Sequence, residues 1–183
     1  MLGNDIVDLR KAKLESNWRR KGYLDKIFSL QEQDLIATAE NQDQMVWLLW
    51  SMKEAAYKIV SPLIGERFYN PLAFECVLDF IGCKAHGSVF FQERILFTSS
   101  EISEELIYTT ALLERGHEYQ NHFLSNQQNY IEEFNDMQSN FFLFKNEENL
   151  PVVQDLTSEF FPASVSHHGR FLAIAHSVEL RVC

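Results

Sequence analysis

Carboxylates stand in apolar surroundings at two places in this chain. In Gly3-Asn-Asp-Ile-Val-Asp-Leu9, Asp5 lies inside an apolar run, where an unpaired charge costs several kcal/mol or shifts its pKa. It needs a cation, either a metal ion or a lysine. Asp8 is less demanding, because at the end of the run it can cap whatever follows. The second place is Val46-Trp-Leu-Leu-Trp-Ser-Met-Lys-Glu-Ala-Ala-Tyr-Lys-Ile-Val60, apolar almost all round. At about 100° per residue, Ser51, Glu54 and Lys58 fall on one narrow stripe, whereas Lys53 points elsewhere. A solvated face would be broader and more charged, so the stripe is expected to line a cleft or meet a buried partner. The alternative is a surface Glu54/Lys58 pair contributing only ~0.3 to 0.5 kcal/mol. Asp5 with Glu54 would make a two-carboxylate oxygen site of the kind that holds Mg²⁺, with substrate phosphates and water completing the octahedron. Phosphoryl chemistry is the natural reading.

A third group lies in Ala163-Ser-Val-Ser-His-His-Gly-Arg-Phe-Leu-Ala-Ile-Ala-His176. Here a strand ends at Ser166-His167, and a His-Gly-Arg turn leads into an apolar strand. A histidine at a strand end beside a glycine turn is well placed to meet a ligand, although a lone histidine is more often structural. His167 and His168 are neighbours, so on a regular strand they face opposite ways and make a poor metal pair.

The elements that must position these groups follow from periodicity. Residues 3–9 read as a short strand, 23–39 as one amphipathic helix, and 45–60 as a buried helix stopped by Pro62. Residues 73–80, 88–92, 95–98 and 105–113 read as strands, with Gly82, Gly87 and Ser99-Ser100 as turn signals. The polar stretch 114–140 reads as a helix with Tyr119, Phe123, Tyr130 and Phe134 inward. A strand at 141–145, a turn at 146–149, a short helix near 155–160 and strands at 163–167 and 171–178 complete the chain. The expected class is α+β.

At 183 residues the chain suits one compact domain or two small lobes. Cys76, Cys83 and Cys183 are odd in number and lack metal-ligand spacing, so neither a disulfide framework nor a structural zinc is expected, and a reducing cytoplasm is. No run approaches a membrane span, and the N-terminus lacks a signal-peptide pattern. A net charge of -10 argues against general nucleic-acid binding. The charge is nevertheless segregated: Arg10, Lys11, Lys13, Arg19, Arg20, Lys21 and Lys26 face only Glu15 and Asp25 in that stretch. Such a run is either a solvated helix face or a dock for an acidic partner.

These pieces, in this order, resemble the 4′-phosphopantetheinyl transferase superfamily. Gly3-Asn-Asp5 is similar to its G-x-D, Trp50-Ser-Met-Lys53-Glu54-Ala-Ala-Tyr-Lys58 to its W-x-x-K-E-A-x-x-K, and Ser164-Val-Ser-His167 to its S-x-S-H. Phe28-Ser-Leu-Gln-Glu32 looks like its F-x-x-x-E segment. The motif order resembles the small holo-acyl-carrier-protein synthases, while the length resembles the two-lobed, surfactin-type members. The resemblance implies an α+β fold of two similar lobes, each a small antiparallel sheet packed with helices, with lobe one near 1–115 and lobe two near 116–183. The segment 88–140 would complete the second lobe and allow an active monomer.

The implied reaction is transfer of phosphopantetheine from coenzyme A to a serine of an acyl or peptidyl carrier protein, releasing adenosine 3′,5′-bisphosphate. Mg²⁺ would sit on Asp5 and Glu54, with water replacing a third ligand because Val7 occupies the position where surfactin-type members carry a second acid. Lys58, Lys53, Ser166 and His167 would contact coenzyme A, and Glu54 or a metal-bound water would take the serine proton. The basic stretch from Arg10 to Lys26 would steer the acidic carrier. The rivals are a non-catalytic carrier-binding module and a Mg²⁺-dependent nucleotide hydrolase.

Overall fold

The computed structural model describes residues 1–65, 70–80, 84–124 and 128–178. Two five-stranded antiparallel sheets, packed with helices, make an α+β fold. The first sheet has the order β1-β5-β4-β3-β2. Its strands are β1 (Leu2–Asp8), β2 (Glu75–Phe80), β3 (Lys84–Phe91), β4 (Arg94–Ile102) and β5 (Leu106–Leu112). Helices α1 (Leu9–Glu15), α2 (Leu24–Ile27), α3 (Leu30–Thr38) and α4 (Gln42–Ile64) accompany it. The second sheet has the order β6-β10-β9-β8-β7. It comprises β6 (Tyr119–Leu124), β7 (Phe141–Lys145), β8 (Pro151–Asp155), β9 (Phe160–His168) and β10 (Phe171–Ser177), with α5 (Tyr130–Met137) packed on it.

Helix α4 is the core of the first half. Asn41 caps it by accepting from the Gln44 N–H, and Gly65 ends it in the left-handed conformation. Val46, Leu49, Met52, Ala56 and Ile59 are fully buried against the sheet. The glycine of Gly3-Asn-Asp5 serves this packing. A Cβ at Gly3 would stand 2.1 Å from the Ala55 carbonyl oxygen, so only glycine lets β1 lie this close to α4.

The two sheets meet along β1 and β9. Asn4 N–H donates to Ser164 Oγ at 3.0 Å and Asp8 N–H donates to His168 Nδ1 at 2.9 Å. The two bonds share one sequence offset, so the strands run parallel, side by side, and side chains rather than a ladder occupy their facing edges. Lys58 Nζ bridges the seam by donating to Asn4 O at 2.7 Å and Val165 O at 3.1 Å.

Several elements differ from the sequence expectation. The helix expected over 23–39 is broken at Ser29, whose hydroxyl accepts from Glu32 N–H while Glu32 accepts from Ser29 N–H. This capping box starts a new helix. Pro62 does not stop α4; it sits in the last turn, and the helix runs on to Ile64. Gly87 and Ser99-Ser100 lie inside β3 and β4 rather than in turns, whereas Gly82 and Cys83 lie outside the described residues. The helix expected over 114–140 is strand β6 followed by the shorter α5, which moves Tyr119 and Phe123 onto a strand. The short helix near 155–160 is a turn in which Asp155 Oδ1 accepts from the N–H groups of Thr157 and Glu159. The segment 88–140 does not belong wholly to a second lobe, because its residues up to Leu112 complete the first sheet.

Candidate active site at the seam

The strand β1, the helices α1 and α4 and the end of β9 enclose a cleft of about 390 Å³. Asp5, Glu54, His167 and His168 line it, with Glu15 and Trp50. Asp5 reaches it because β1 runs antiparallel to β5 and alternates its side chains between α4 and the seam. Glu54 reaches it from the polar stripe of α4. Asp5 Oδ1 lies 4.0 Å from Lys58 Nζ, an ion contact rather than a hydrogen bond. Its other oxygen, Oδ2, is buried without a partner.

Burial raises the Asp5 carboxyl above its usual range, against the pull of Lys58 and the nearby Ser51 hydroxyl. Burial also lowers the Lys58 ammonium, and the carboxylates of Asp5 and Glu54 oppose that shift. All three groups therefore belong to one electrostatic unit.

Asp8 does not line the cleft. It caps α1 by accepting from Arg10 and Lys11 N–H, and its second oxygen accepts from the backbone and side chain of Arg170. These bonds hold its pKa low in spite of its burial. Gly169, in the left-handed region at φ +59, lets the turn close on this carboxylate, since a Cβ there would stand 2.3 Å from Asp8 Oδ2.

Lys53, expected to contact coenzyme A, does not line the cleft. It is buried at 3% exposure and pairs with Glu32 at 2.8 Å, while its ammonium also donates to the carbonyls of Pro71 and Phe74. Ser166 is buried, with an unpartnered hydroxyl, and does not line the cleft. Its neighbour in the motif, Ser164, does structural work by accepting from Asn4. His167 and His168 both border the cleft, because the strand ends there. Only His167 has an exposed ring; His168 is tied to Asp8 N–H and faces Glu15 at 3.4 Å.

Sequence reasoning placed Glu32 in the F-x-x-x-E segment without assigning it a role. Fully buried, it accepts from Ser29 N–H, Cys76 N–H and Lys53 at once. The signal was the capping-box spacing Ser29-x-x-Glu32, which places a carboxylate at a helix start.

A family model, the 4′-phosphopantetheinyl transferase superfamily, matches residues 1–128. The chain belongs to that superfamily, whose members transfer phosphopantetheine from coenzyme A, typically with a divalent metal. The match contains Asp5, Glu54 and Lys58 and ends before Ser164-Val-Ser-His167. No curated protein matches the chain.

The residues fit a divalent cation in one respect that the structure itself supplies: a buried carboxylate oxygen, Asp5 Oδ2, has no partner, and Glu54 shares its cleft. Among the described residues no cluster of three or more His, Cys, Asp or Glu is arranged to hold a metal. Two carboxylates completed by phosphate and water suit Mg²⁺, which keeps several non-protein ligands.

Proposed function

We propose that this chain transfers the 4′-phosphopantetheine arm of coenzyme A to a serine hydroxyl of an acyl or peptidyl carrier protein and releases adenosine 3′,5′-bisphosphate. The carrying observation is that Asp5 and Glu54 line one cleft, with Lys58 Nζ 4.0 Å from Asp5 Oδ1 and the other Asp5 oxygen left unpartnered. In the reaction the serine Oγ attacks the β-phosphorus. An Oγ–P bond forms, and the bond from that phosphorus to the bridging oxygen breaks. Mg²⁺ held by Asp5 and Glu54 would neutralise the pyrophosphate and the charge growing on the leaving oxygen. Lys58, fixed by two backbone carbonyls, adds a positive charge to the phosphates from a position that needs no rearrangement. Glu54, facing the cleft, accepts the serine proton. His167, the exposed histidine at its mouth, contacts a phosphate.

The carrier docks beside this cleft. Arg10, Lys13 and Arg19 line an adjoining hollow of about 620 Å³ that shares Trp47 and Ser16 with it. Arg19 is partly occupied by Asp43 at 2.8 Å and stacks on Trp18. Arg10 and Lys13 stand on the α1 wall. Opposite charge here raises the encounter rate with an acidic carrier, and reversing Arg10 and Lys13 slows modification about tenfold at low salt while flattening its salt dependence. The reading takes residues 1–115 and 116–183 as two lobes of one domain, acting as a monomer because both sides of the seam come from one chain.

The test is a mass spectrum of purified carrier proteins after incubation with the protein, coenzyme A and Mg²⁺. Gain of one phosphopantetheine on a serine is the expected result. Hydrolysis of coenzyme A without carrier modification would favour the hydrolase, and binding without either reaction would favour a docking module.

A further inference from the structure

The two sheets contribute unequally to the cleft. Of its described lining residues only His167 and His168, at the end of β9, come from the second sheet; the rest belong to β1, to α1 with its C-cap, and to α4. His167 is thus the one exposed ring that the second sheet brings toward Asp5 and Glu54. On the near side β9 is held by Asn4, through Ser164, and by Lys58, through Val165 O. Past His167 the chain turns back, so whatever fixes that turn fixes the place of the ring.

Gly169 and Arg170 make the two-residue turn between His168 and Phe171, which pair across it. Arg170 ties the turn to the first sheet at three points. Its backbone N–H and its Nε donate to Asp8 Oδ2 at 3.1 and 3.3 Å, and its terminal nitrogen donates to Glu105 Oε1 at 3.3 Å. Both acceptors stand on fixed structure. Asp8 is buried and its other oxygen caps α1, while the Glu105 carbonyl accepts from Leu9 N–H. His168 adds a single bond to this joint, from Asp8 N–H.

We infer that Arg170 is a positioning residue: its guanidinium, closed on Asp8 and Glu105, locks the β9–β10 turn to the first sheet and so holds His167 at the cleft. The inference rests on the transfer reading above, in which His167 contacts a phosphate of coenzyme A, and adds a residue that acts through His167. A cation meant for the phosphates would line the cleft or the basic hollow beside it, and Arg170 lines neither. Its donors sit in a rigid planar fork, so two acceptors on different elements define the orientation of the turn. A binding group displaced by about 1 Å loses much of its contribution.

Calorimetry of coenzyme A binding to the wild type, His167→Ala, Arg170→Met and the double variant tests this as a cycle. The Arg170 side chain is half exposed, and methionine can cover the Phe171 ring that the guanidinium now lies over; circular dichroism and a melting curve check that the variant folds. Arg170→Met should weaken binding about fivefold when His167 is present and less than about twofold when it is absent, the non-additivity of residues that act as one unit. Equal weakening in both backgrounds would overturn the inference, because Arg170 would then act on the ligand or on the fold without His167. No weakening in either background would overturn it too, as would a His167→Ala variant that binds like the wild type. If Arg170→Met does not fold, Glu105→Ala takes its place in the cycle, since it removes only the exposed outer acceptor. A loss that vanishes without His167 is again expected, and a persistent loss, or none, overturns the inference. These outcomes leave the transfer reading in place while the wild type binds coenzyme A and modifies the carrier. A wild type that does neither removes that reading, and this inference with it.

Discussion

Lys53 and Lys58 stand five residues apart on one helix, each facing a buried carboxylate, yet their surroundings differ in kind. Around Lys53 every group is used: Glu32 is 2.8 Å away, two carbonyls accept from the ammonium, and the second Glu32 oxygen accepts from Ser29 N–H. The Phe28 ring lies 5.7 Å from the same ammonium. Around Lys58 the arrangement is incomplete, because Asp5 is 4.0 Å away with one oxygen unpartnered, and the pair borders open space on both sides. A saturated buried pair fixes structure, here joining α3, α4 and β2. An unsaturated one at a cleft has capacity left for a ligand. The two lysines look alike in the motif, and only their partners separate them.

The largest stability effect should come from breaking the saturated pair. Lys53→Met strands the Glu32 carboxylate in the core and should cost about 3 to 5 kcal/mol. Asp5→Asn should change stability by about 1 kcal/mol or less, because burial already disfavours the Asp5 charge. Urea unfolding of both variants measures this contrast. Similar losses in the two would erase the distinction between the pairs.

A smaller contrast separates the two histidines. His167→Ala should weaken coenzyme A binding about tenfold with a lesser change in turnover, the cost of one phosphate contact. His168→Ala should leave binding within twofold and lower stability by about 1 kcal/mol, through loss of the acceptor for Asp8 N–H. Calorimetry and unfolding, run on both variants, separate the roles.

The smallest effect tests the second sheet, away from the cleft. His122 and His176 are joined edge to edge, Nε2 to Nε2 at 3.1 Å, with Gln138 on His122 Nδ1 and the Ser177 carbonyl on His176 Nδ1. One neutral assignment satisfies the chain: Gln138 donates to His122, His122 donates to His176, and His176 donates to Ser177 O. Protonating His176 puts a hydrogen on both facing Nε2 atoms, and protonating His122 puts one on Nδ1 against the Gln138 amide that donates to it. Burial, with His176 beside it, lowers the His122 pKa from 6.5 to about 4. Between those values the unfolded chain binds a proton that the folded chain does not, so stability falls as pH drops from 6.5 toward 4. His122→Phe should flatten that part of a plot of melting temperature against pH, and an unchanged slope would contradict the assignment.

The first sheet and its helix were more legible in the sequence than the second. Residues 46–60 of α4 are so apolar that each polar one stands out, and Ser51, Glu54 and Lys58 fall on a single stripe. Strand β6 was missed because Tyr119, Gln120, Asn121 and His122 alternate little in polarity. That strand lies at the sheet edge, and only Leu124 in it is buried. Ser99-Ser100 misled for a related reason: buried hydroxyls such as Ser100 Oγ, 2.8 Å from Thr109 Oγ1, satisfy each other across β4 and β5, so polar residues there signal a strand pair and not a turn. The role of Lys53 was illegible because its partner, Glu32, lies 21 residues away on another helix, and no local pattern links them.

The central claim is that the unsaturated Asp5–Glu54–Lys58 unit is the catalytic centre. The most direct test compares the wild type with Asp5→Ala and Glu54→Ala in the carrier mass assay at saturating Mg²⁺. Native-like circular dichroism and retained melting temperature establish that each variant is folded. The account predicts a carrier serine bearing phosphopantetheine with the wild type and no detectable product with either variant. Normal turnover in either folded variant would contradict it.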